Sequence, residues 1–143
     1  MKEGSNAFTG TQFESELQVR PDDIDMNQHV HSSRYFDYVL AARYEQMARC
    51  YKMSMEEFLK AGFGWVIKAA QLEFKRPLNM GDSFLVRTRI SRIYKDGVQV
   101  KFEIVKKRNG KLTCSGTFDY TMINIQTGRA EVIPDWIIER YSI

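Results

Sequence analysis

From Gln12 to Arg20 apolar and polar positions alternate: Phe13, Leu17 and Val19 fall on one face, and Glu14, Glu16, Gln18 and Arg20 on the other. A period of two marks a half-buried strand, which Pro21 ends. Asp22 to Gln28 reads as a polar loop. The period then lengthens to that of a helix from about Ser33 to Tyr51, with Ser32 or Ser33 as its N-cap. Along this helix Arg34, Asp37, Glu45, Arg49 and Lys52 share one narrow stripe. Tyr35, Phe36, Tyr38, Val39, Leu40, Ala42, Tyr44, Met47 and Ala48 occupy nearly all the rest, so the helix is expected to be buried on several sides. Arg43 projects from the side opposite the polar stripe. A buried Arg needs a partner, which makes it half of a structural ion pair, the favoured reading, or a ligand contact.

A shorter helix is expected over Ser54 to Ala61, with Ser54 as cap and Glu57 completing a capping box. Gly62-Phe63-Gly64 breaks it. The period then returns to two. Val66, Lys68, Ala70, Leu72 and Phe74 alternate with Ile67, Ala69, Gln71, Glu73 and Lys75. Phe84, Val86, Thr88 and Ile90 alternate with Arg87, Arg89 and Ser91, and Val98, Val100, Phe102 and Ile104 with Gln99, Lys101, Glu103 and Lys107. A last strand places Leu112, Cys114, Gly116, Phe118, Tyr120 and Met122 on one face. Asn79-Met80-Gly81-Asp82, Lys95-Asp96-Gly97 and Arg108-Asn109-Gly110-Lys111 carry turn chemistry between the strands. A short strand or helix over Val132 to Tyr141 follows the Gln126-Thr127-Gly128 turn.

Strand, loop, long helix, short helix and an antiparallel meander make an α+β chain. One sheet wrapped around one hydrophobic helix is the economical way to bury that helix, and this arrangement is the hotdog fold. No repeat or linker divides the sequence, so residues 1–143 are read as a single domain, with 1–10 as a loose leader. Long strands with unpaired edges favour association, and a homodimer or a dimer of dimers is expected.

Composition narrows the function. Against 18 acidic residues stand 21 basic ones, a formal charge of +3 that is too small to imply nucleic-acid binding. Neither a signal segment nor an apolar run of membrane length occurs, so no membrane association and a cytoplasmic location are expected. Cys50 and Cys114 lack metal-ligand spacing and read as small buried hydrophobes. Walker, Rossmann and G-x-S-x-G motifs are absent. Lys75, Arg87, Arg89, Arg92, Lys101, Lys106, Lys107 and Arg108 read as a solvated sheet face, some of which could meet the phosphates of a nucleotide-bearing acyl carrier.

Catalytic residue types concentrate between Asp25 and Tyr35. Asp25, Asn27 and His29 alternate, so an extended backbone would aim all three to one side. A carboxylate there could activate water or attack a carbonyl itself, Asn27 could orient the water or bond the carboxylate, and His29 could bond a carbonyl or the leaving group. Amides at the helix start, around Ser32 and Ser33, would face a developing oxyanion. The competing reading makes Asp22, Asp23 and Asp25 turn residues and packs His29 at the helix start. His29, His31 and Asp25 could coordinate a metal, but no third strong ligand has matching spacing and an i,i+2 pair entering a helix diverges, so no metal is expected.

At Asp25, His29-Val30-His31-Ser32-Ser33 and Arg34-Tyr35 the sequence resembles the hotdog-fold acyl-CoA thioesterases of the broad 4-hydroxybenzoyl-CoA thioesterase-like group. Its Asp-x-Asn-Gln-His-Val wording is similar to that of the acyl-ACP thioesterases. A second similarity follows at Leu72-Glu73-Phe74-Lys75-Arg76-Pro77-Leu78 and Gly81-Asp82, and the whole spans roughly residues 12 to 125. Where many relatives read Asn-Asn this chain has His31-Ser32; it lacks their acid near Leu40-Ala41, and has Pro77-Leu78 where the acyl-ACP branch places polar catalytic candidates.

The resemblance implies hydrolysis of acyl-CoA or acyl-ACP to free acid and thiol, without a cofactor. Asp25 matches the catalytic carboxylate, as general base or nucleophile; Asn27 and His29 match its polar partners. Ser32 lies where a backbone N–H polarises the thioester carbonyl. Tyr35, Val39, Phe63, Trp65 and Val66 are expected to line the acyl slot. A hotdog-fold hydratase or dehydratase, or a non-catalytic acyl-thioester-binding module, is the alternative.

Overall fold

The computed structural model describes residues 6–7 and 9–143, with side chains from residue 9 onward. In chain order its elements are β1 (Asn6–Ala7), β2 (Phe13–Gln18), a 3-10 turn (Pro21–Asp23), α1 (Ser32–Arg49), α2 (Met55–Lys60), β3 (Phe63–Phe74), β4 (Ser83–Ile93), β5 (Gly97–Lys106), β6 (Leu112–Asn124) and α3 (Asp135–Tyr141). β4, β5, β6 and β3 lie side by side, and β1 and β2 both pair with the remaining edge of β4, at opposite ends of it. Every pairing is antiparallel. The segment over Val132 to Tyr141, left open as strand or helix, contains the helix α3.

Of the leader expected over residues 1–10, residues 1–5 and 8 lie outside the described residues. The rest is docked: Asn6 and Ala7 pair with Ile93 and Arg92, and the Gly10 amide donates to the Ile90 carbonyl at 3.0 Å. Backbone pairing of this kind leaves no hydrophobic period in a small polar sequence.

The inward rows of β4 to Ile90, of β5 to Ile104 and of β6 from Cys114 follow their alternation, with Phe84, Val86, Ile90, Val100, Ile104, Phe118 and Met122 fully buried, while a register shift at Thr113 sets Leu112 on the opposite face from Cys114. β3 does not follow its alternation. Its register shifts between Ile67 and Ala69, so Lys68 is extra and the two halves present opposite parities. Phe63, Trp65 and Ile67 pair with Asn124, Met122 and Tyr120, whereas Ala70, Leu72 and Phe74 pair with Phe118, Gly116 and Cys114. Val66 therefore does not share a face with Ala70, Leu72 and Phe74, as unbroken alternation would require. Opposite Leu72 the sheet needs a glycine: a Cβ on Gly116 would stand 1.8 Å from the Gln71 carbonyl oxygen.

α1 lies on the inward face of the sheet through Tyr35, Tyr38, Val39, Ala42, Arg43, Gln46 and Met47. Ala41, Ala48 and Tyr44 are exposed, Tyr44 by 51%, so the helix buries one broad face rather than several. Its N-cap is His31, with no side-chain cap bond, in place of the expected serine. Two apolar clusters share the core. One gathers Tyr35, Tyr38 and Val39 with Leu78, Phe84, Phe102 and Phe118; the other gathers Met47, Tyr51 and Phe58 with Ile90, Val100, Met122, Ile137 and Tyr141. Each fully buried side chain of this size contributes about 1.5–3 kcal/mol. A polar clamp fixes the helix between them: Gln46, fully buried, donates to Ser15 Oγ at 3.0 Å and accepts from the Thr88 hydroxyl, and Ser15 donates to Glu45 Oε1 at 2.6 Å. α2 carries the expected capping box of Ser54 and Glu57. Among the described residues no helix is long and apolar enough to cross a membrane.

Candidate active site

Between the 3-10 turn and α1 the chain folds back on itself. Ile24 and Val30 face each other as an isolated bridge, the Asp25 amide donates to the His29 carbonyl at 2.9 Å, and the Gln28 amide to the Asp25 carbonyl at 3.0 Å. Gln28 turns the chain with φ at +63°. Asp25, Asn27 and His29 are therefore not an extended run with side chains on one side; they occupy the two legs and the tip of a closed turn. Two side-chain–backbone constraints explain why alternation fails here. Asp25 Oδ1 accepts the Asn27 amide at 2.8 Å and the His29 amide at 3.2 Å, and the sequence's abundance of short polar residues makes such local bonds competitive with a strand.

The turn is fastened at both legs. Val30 donates its amide to Leu78, His29 bridges to Asn79, and the His31 amide donates to the Asp23 carbonyl at 2.9 Å. Asp23, only 4% exposed, is the anchor beneath it. Its carboxylate accepts the Tyr38 hydroxyl at 2.7 Å and the Arg20 amide at 3.1 Å, and lies 3.5 Å from Arg34 Nε. Burial, then the bond to Asp23, pushes the Tyr38 hydroxyl far above the ordinary tyrosine range. Asp23 and Tyr38 escaped sequence reading, which placed Asp23 among interchangeable loop aspartates and Tyr38 among apolar residues. The available signal was Tyr38 itself, since a buried tyrosine hydroxyl seeks a partner.

Asp25 is half-buried, and Asn27 and His29 are exposed. Ser32 opens α1 and is exposed, so the first amides of the helix, which have no partner within it, lie beside the turn. Tyr35, one turn further, is buried; its hydroxyl oxygen accepts the Leu78 amide at 2.8 Å, and burial raises its pKa. Tyr35 thus holds the β3–β4 connection against the helix.

Of the remaining expected lining residues, only Val39 shares a cluster with Tyr35. Val39 is fully buried in the core cluster that contains Tyr35. Phe63 and Trp65 pack against the other cluster, where the Trp65 ring meets Phe58 edge-on with 5.5 Å between the two centroids. Val66 is 42% exposed, and as the neighbour of Trp65 on a strand it points to the opposite face.

Several of the basic residues assigned to a solvated sheet face are engaged. Lys106 is buried and lies 3.6 Å from Asp82; Arg87 pairs with Glu14 at 2.5 Å, Lys107 with Glu16 at 3.0 Å and Lys75 with Glu73 at 3.2 Å. Among the described residues no group of three or more His, Cys, Asp or Glu is placed to hold a metal ion.

The fold has well-matched counterparts. A DHNA-CoA thioesterase from Staphylococcus aureus superposes with a TM-score of 0.84 at 19% identity, over 92% of this chain and 89% of its own. A 1,4-dihydroxy-2-naphthoyl-CoA thioesterase from Synechocystis gives 0.81 at 20% identity, over 92% and 96%. A Staphylococcus aureus protein solved in complex with CoA gives 0.82 at 19% identity, over 94% and 84%. At these identities the likeness establishes the fold, which is the α+β hotdog expected from the sequence. No curated protein matches the chain. The family model of the Thioesterase-like superfamily matches residues 19–141, nearly the whole sequence, and the chain belongs to that superfamily of hotdog-fold thioesterases.

Proposed function

We propose that the chain hydrolyses an acyl-CoA thioester at the junction of the Asp25–His29 turn and the start of α1. The observation that carries this reading is the state of the Asp25 carboxylate. Two backbone amides hold Oδ1, at 2.8 and 3.2 Å, which fixes the group in place beside an open helix N-terminus. A carboxylate orientated in this way is a suitable base or nucleophile, and unpaired helix-start amides are suitable donors to an oxyanion.

In this reading the thioester carbonyl accepts from the amides around Ser32 and Ser33, where the positive end of the helix dipole favours negative charge. Asp25 removes a proton from water as its oxygen attacks the carbonyl carbon. The C–S bond then breaks, and the thiolate leaves and takes up a proton. Direct attack by Asp25 would instead form an anhydride that water opens. Asn27 and His29, exposed at the tip and on the second leg of the turn, are placed to meet the incoming thioester from the solvent side rather than to build the turn with their side chains. Tyr35 acts by positioning, through its bond to Leu78.

CoA is the preferred carrier because family membership in the Thioesterase-like superfamily and a structural counterpart solved with CoA support it. The outer edge of β3 has no partner strand among the described residues, which supports pairing with a second copy there. Thiol release over an acyl-CoA length series, with acyl-ACP in parallel, tests the assignment. Free thiol from acyl-CoA is expected. A change in double-bond absorbance without thiol would make the chain a hydratase, and binding without turnover would make it a non-catalytic module.

A further inference from the structure

Away from the Asp25 turn, a cavity of about 260 Å³ lies between the C-terminal half of α1, α3 and the inward face of the sheet. Its wall is mostly apolar, with Leu40, Met47 and Ile137 among the lining residues. Arg43 also lines it, and is only 6% exposed. The sequence led us to expect an ion pair for this residue. Instead its Nη1 has no hydrogen-bond partner, and its guanidinium carbon stands 5.2 Å from the centre of the Tyr51 ring. A cation–π contact of that kind compensates a buried guanidinium only in part, because it supplies no acceptor for the N–H groups.

Two other lining residues carry the same deficit. Trp65 Nε1 and the Tyr120 hydroxyl are buried and without partners. Burial raises the Tyr120 pKa against the opposing effect of the nearby Arg43 charge, so the hydroxyl keeps its proton. An arginine N–H and an indole N–H are donors only, and a protonated tyrosine can donate as well. Buried polar groups in folded proteins are nearly always satisfied, and unsatisfied ones that line one cavity, all able to donate, call for an acceptor from outside the chain. The charge of Arg43 selects an anionic acceptor, and the planar fork of its guanidinium matches a carboxylate. The apolar wall selects the rest of the molecule.

We propose that this cavity binds the carboxylate of an apolar organic acid, with Arg43 as the charged anchor and Tyr120 and Trp65 as further donors. The acid has two possible sources of one chemistry: a free alkanoate, or the distal carboxyl of a dicarboxylic acyl chain whose thioester sits at the start of α1. Along the helix Ser32 and Arg43 are separated by about 16 Å at 1.5 Å per residue, so the second source requires a long acyl group.

Calorimetric titration of the chain with octanoate, 1-octanol and octylammonium tests the site. Octanoate is expected to bind about ten-fold or more tighter than 1-octanol, the size of a charge-assisted hydrogen bond, with octylammonium weakest. Arg43→Met is expected to bring octanoate to the level of 1-octanol, and in a Trp136→Phe background octanoate is expected to change the fluorescence of Trp65. Equal affinity of the wild-type chain for octanoate and 1-octanol would overturn the proposal, and needs no variant to fold. The source is read separately, and this arm alone rests on the hydrolase reading. A loss of kcat/KM in Arg43→Met confined to ω-carboxyacyl-CoA assigns the site to the acyl chain; unchanged kinetics with lost octanoate binding assigns it to the free acid.

Discussion

The hydroxyl of Tyr38 donates to Asp23 Oδ2 across 2.7 Å, joining the buried face of α1 to the segment that leads into the Asp25 turn. Because Asp23 also accepts the Arg20 amide and its carbonyl receives the His31 amide, one buried residue ties β2, the turn and the helix start together. Tyr38→Phe removes the donor and leaves a buried carboxylate short of one bond. The expected cost is about 1–3 kcal/mol of stability, read by chemical denaturation. A loss in catalytic rate larger than the loss in folded fraction is also expected, since the helix start would loosen against the turn. Unchanged stability would show that the bond does not hold the two together.

The clamp between α1 and β2 has a pH signature. Arg49 beside Glu45, with a further bond from Ser15 and against the opposing effect of burial, holds the Glu45 carboxyl below the usual glutamate value. In the unfolded chain Glu45 takes up a proton at higher pH than in the folded one. Its contribution is therefore present above the unfolded pKa and is lost as pH falls through the folded value. Thermal melts across the acid range should show Glu45→Gln less sensitive to acidification than the wild-type chain; parallel profiles would contradict this.

Gly116 tests the sheet under the helix. Its missing Cβ leaves room for the Gln71 carbonyl oxygen, which would otherwise stand at 1.8 Å, with Phe102 at 3.1 Å. Gly116→Ala must displace β3 backbone and is expected to cost about 1–3 kcal/mol. A change below about 0.5 kcal/mol, the range of an ordinary surface substitution, would mean that the strands part without strain.

The elements of this fold are legible in the sequence because they rest on local period. β4 from Phe84 to Ile90, β5 from Val98 to Ile104 and β6 from Cys114 to Met122 keep their alternation, Ser54 and Glu57 cap α2 as a box, and glycines at positive φ close the turns at Gly81 and Gly110. What was hidden depends on contacts distant in sequence. The β3 bulge at Lys68 arises from pairing with β6, and it puts Val66 on the face opposite to Ala70, Leu72 and Phe74. Gln46 looks like any polar helix residue until Ser15 and Thr88 are brought to it. At the candidate site, residue type singles out Asp25 and the start of α1, but not the closed turn. Gln28 at positive φ and the Asp25 side chain create that turn, and neither leaves a periodic trace. Arg43 was flagged as an anomaly by its position on the helix, though its partner was expected within the chain.

The central claim is that the charge of Asp25, rather than its role in shaping the turn, performs the hydrolysis. Asparagine keeps an Oδ1 that can accept the Asn27 and His29 amides while removing the negative charge. Asp25→Asn is therefore expected to stay folded at a cost of about 1–2 kcal/mol, since both hydrogen bonds survive but a neutral acceptor makes each roughly half as strong. The deciding measurement is thiol release from acyl-CoA by wild-type and Asp25→Asn chains at equal folded concentration. A fall of about 100-fold or more with the fold intact is the predicted result; near-wild-type turnover by Asp25→Asn would contradict it.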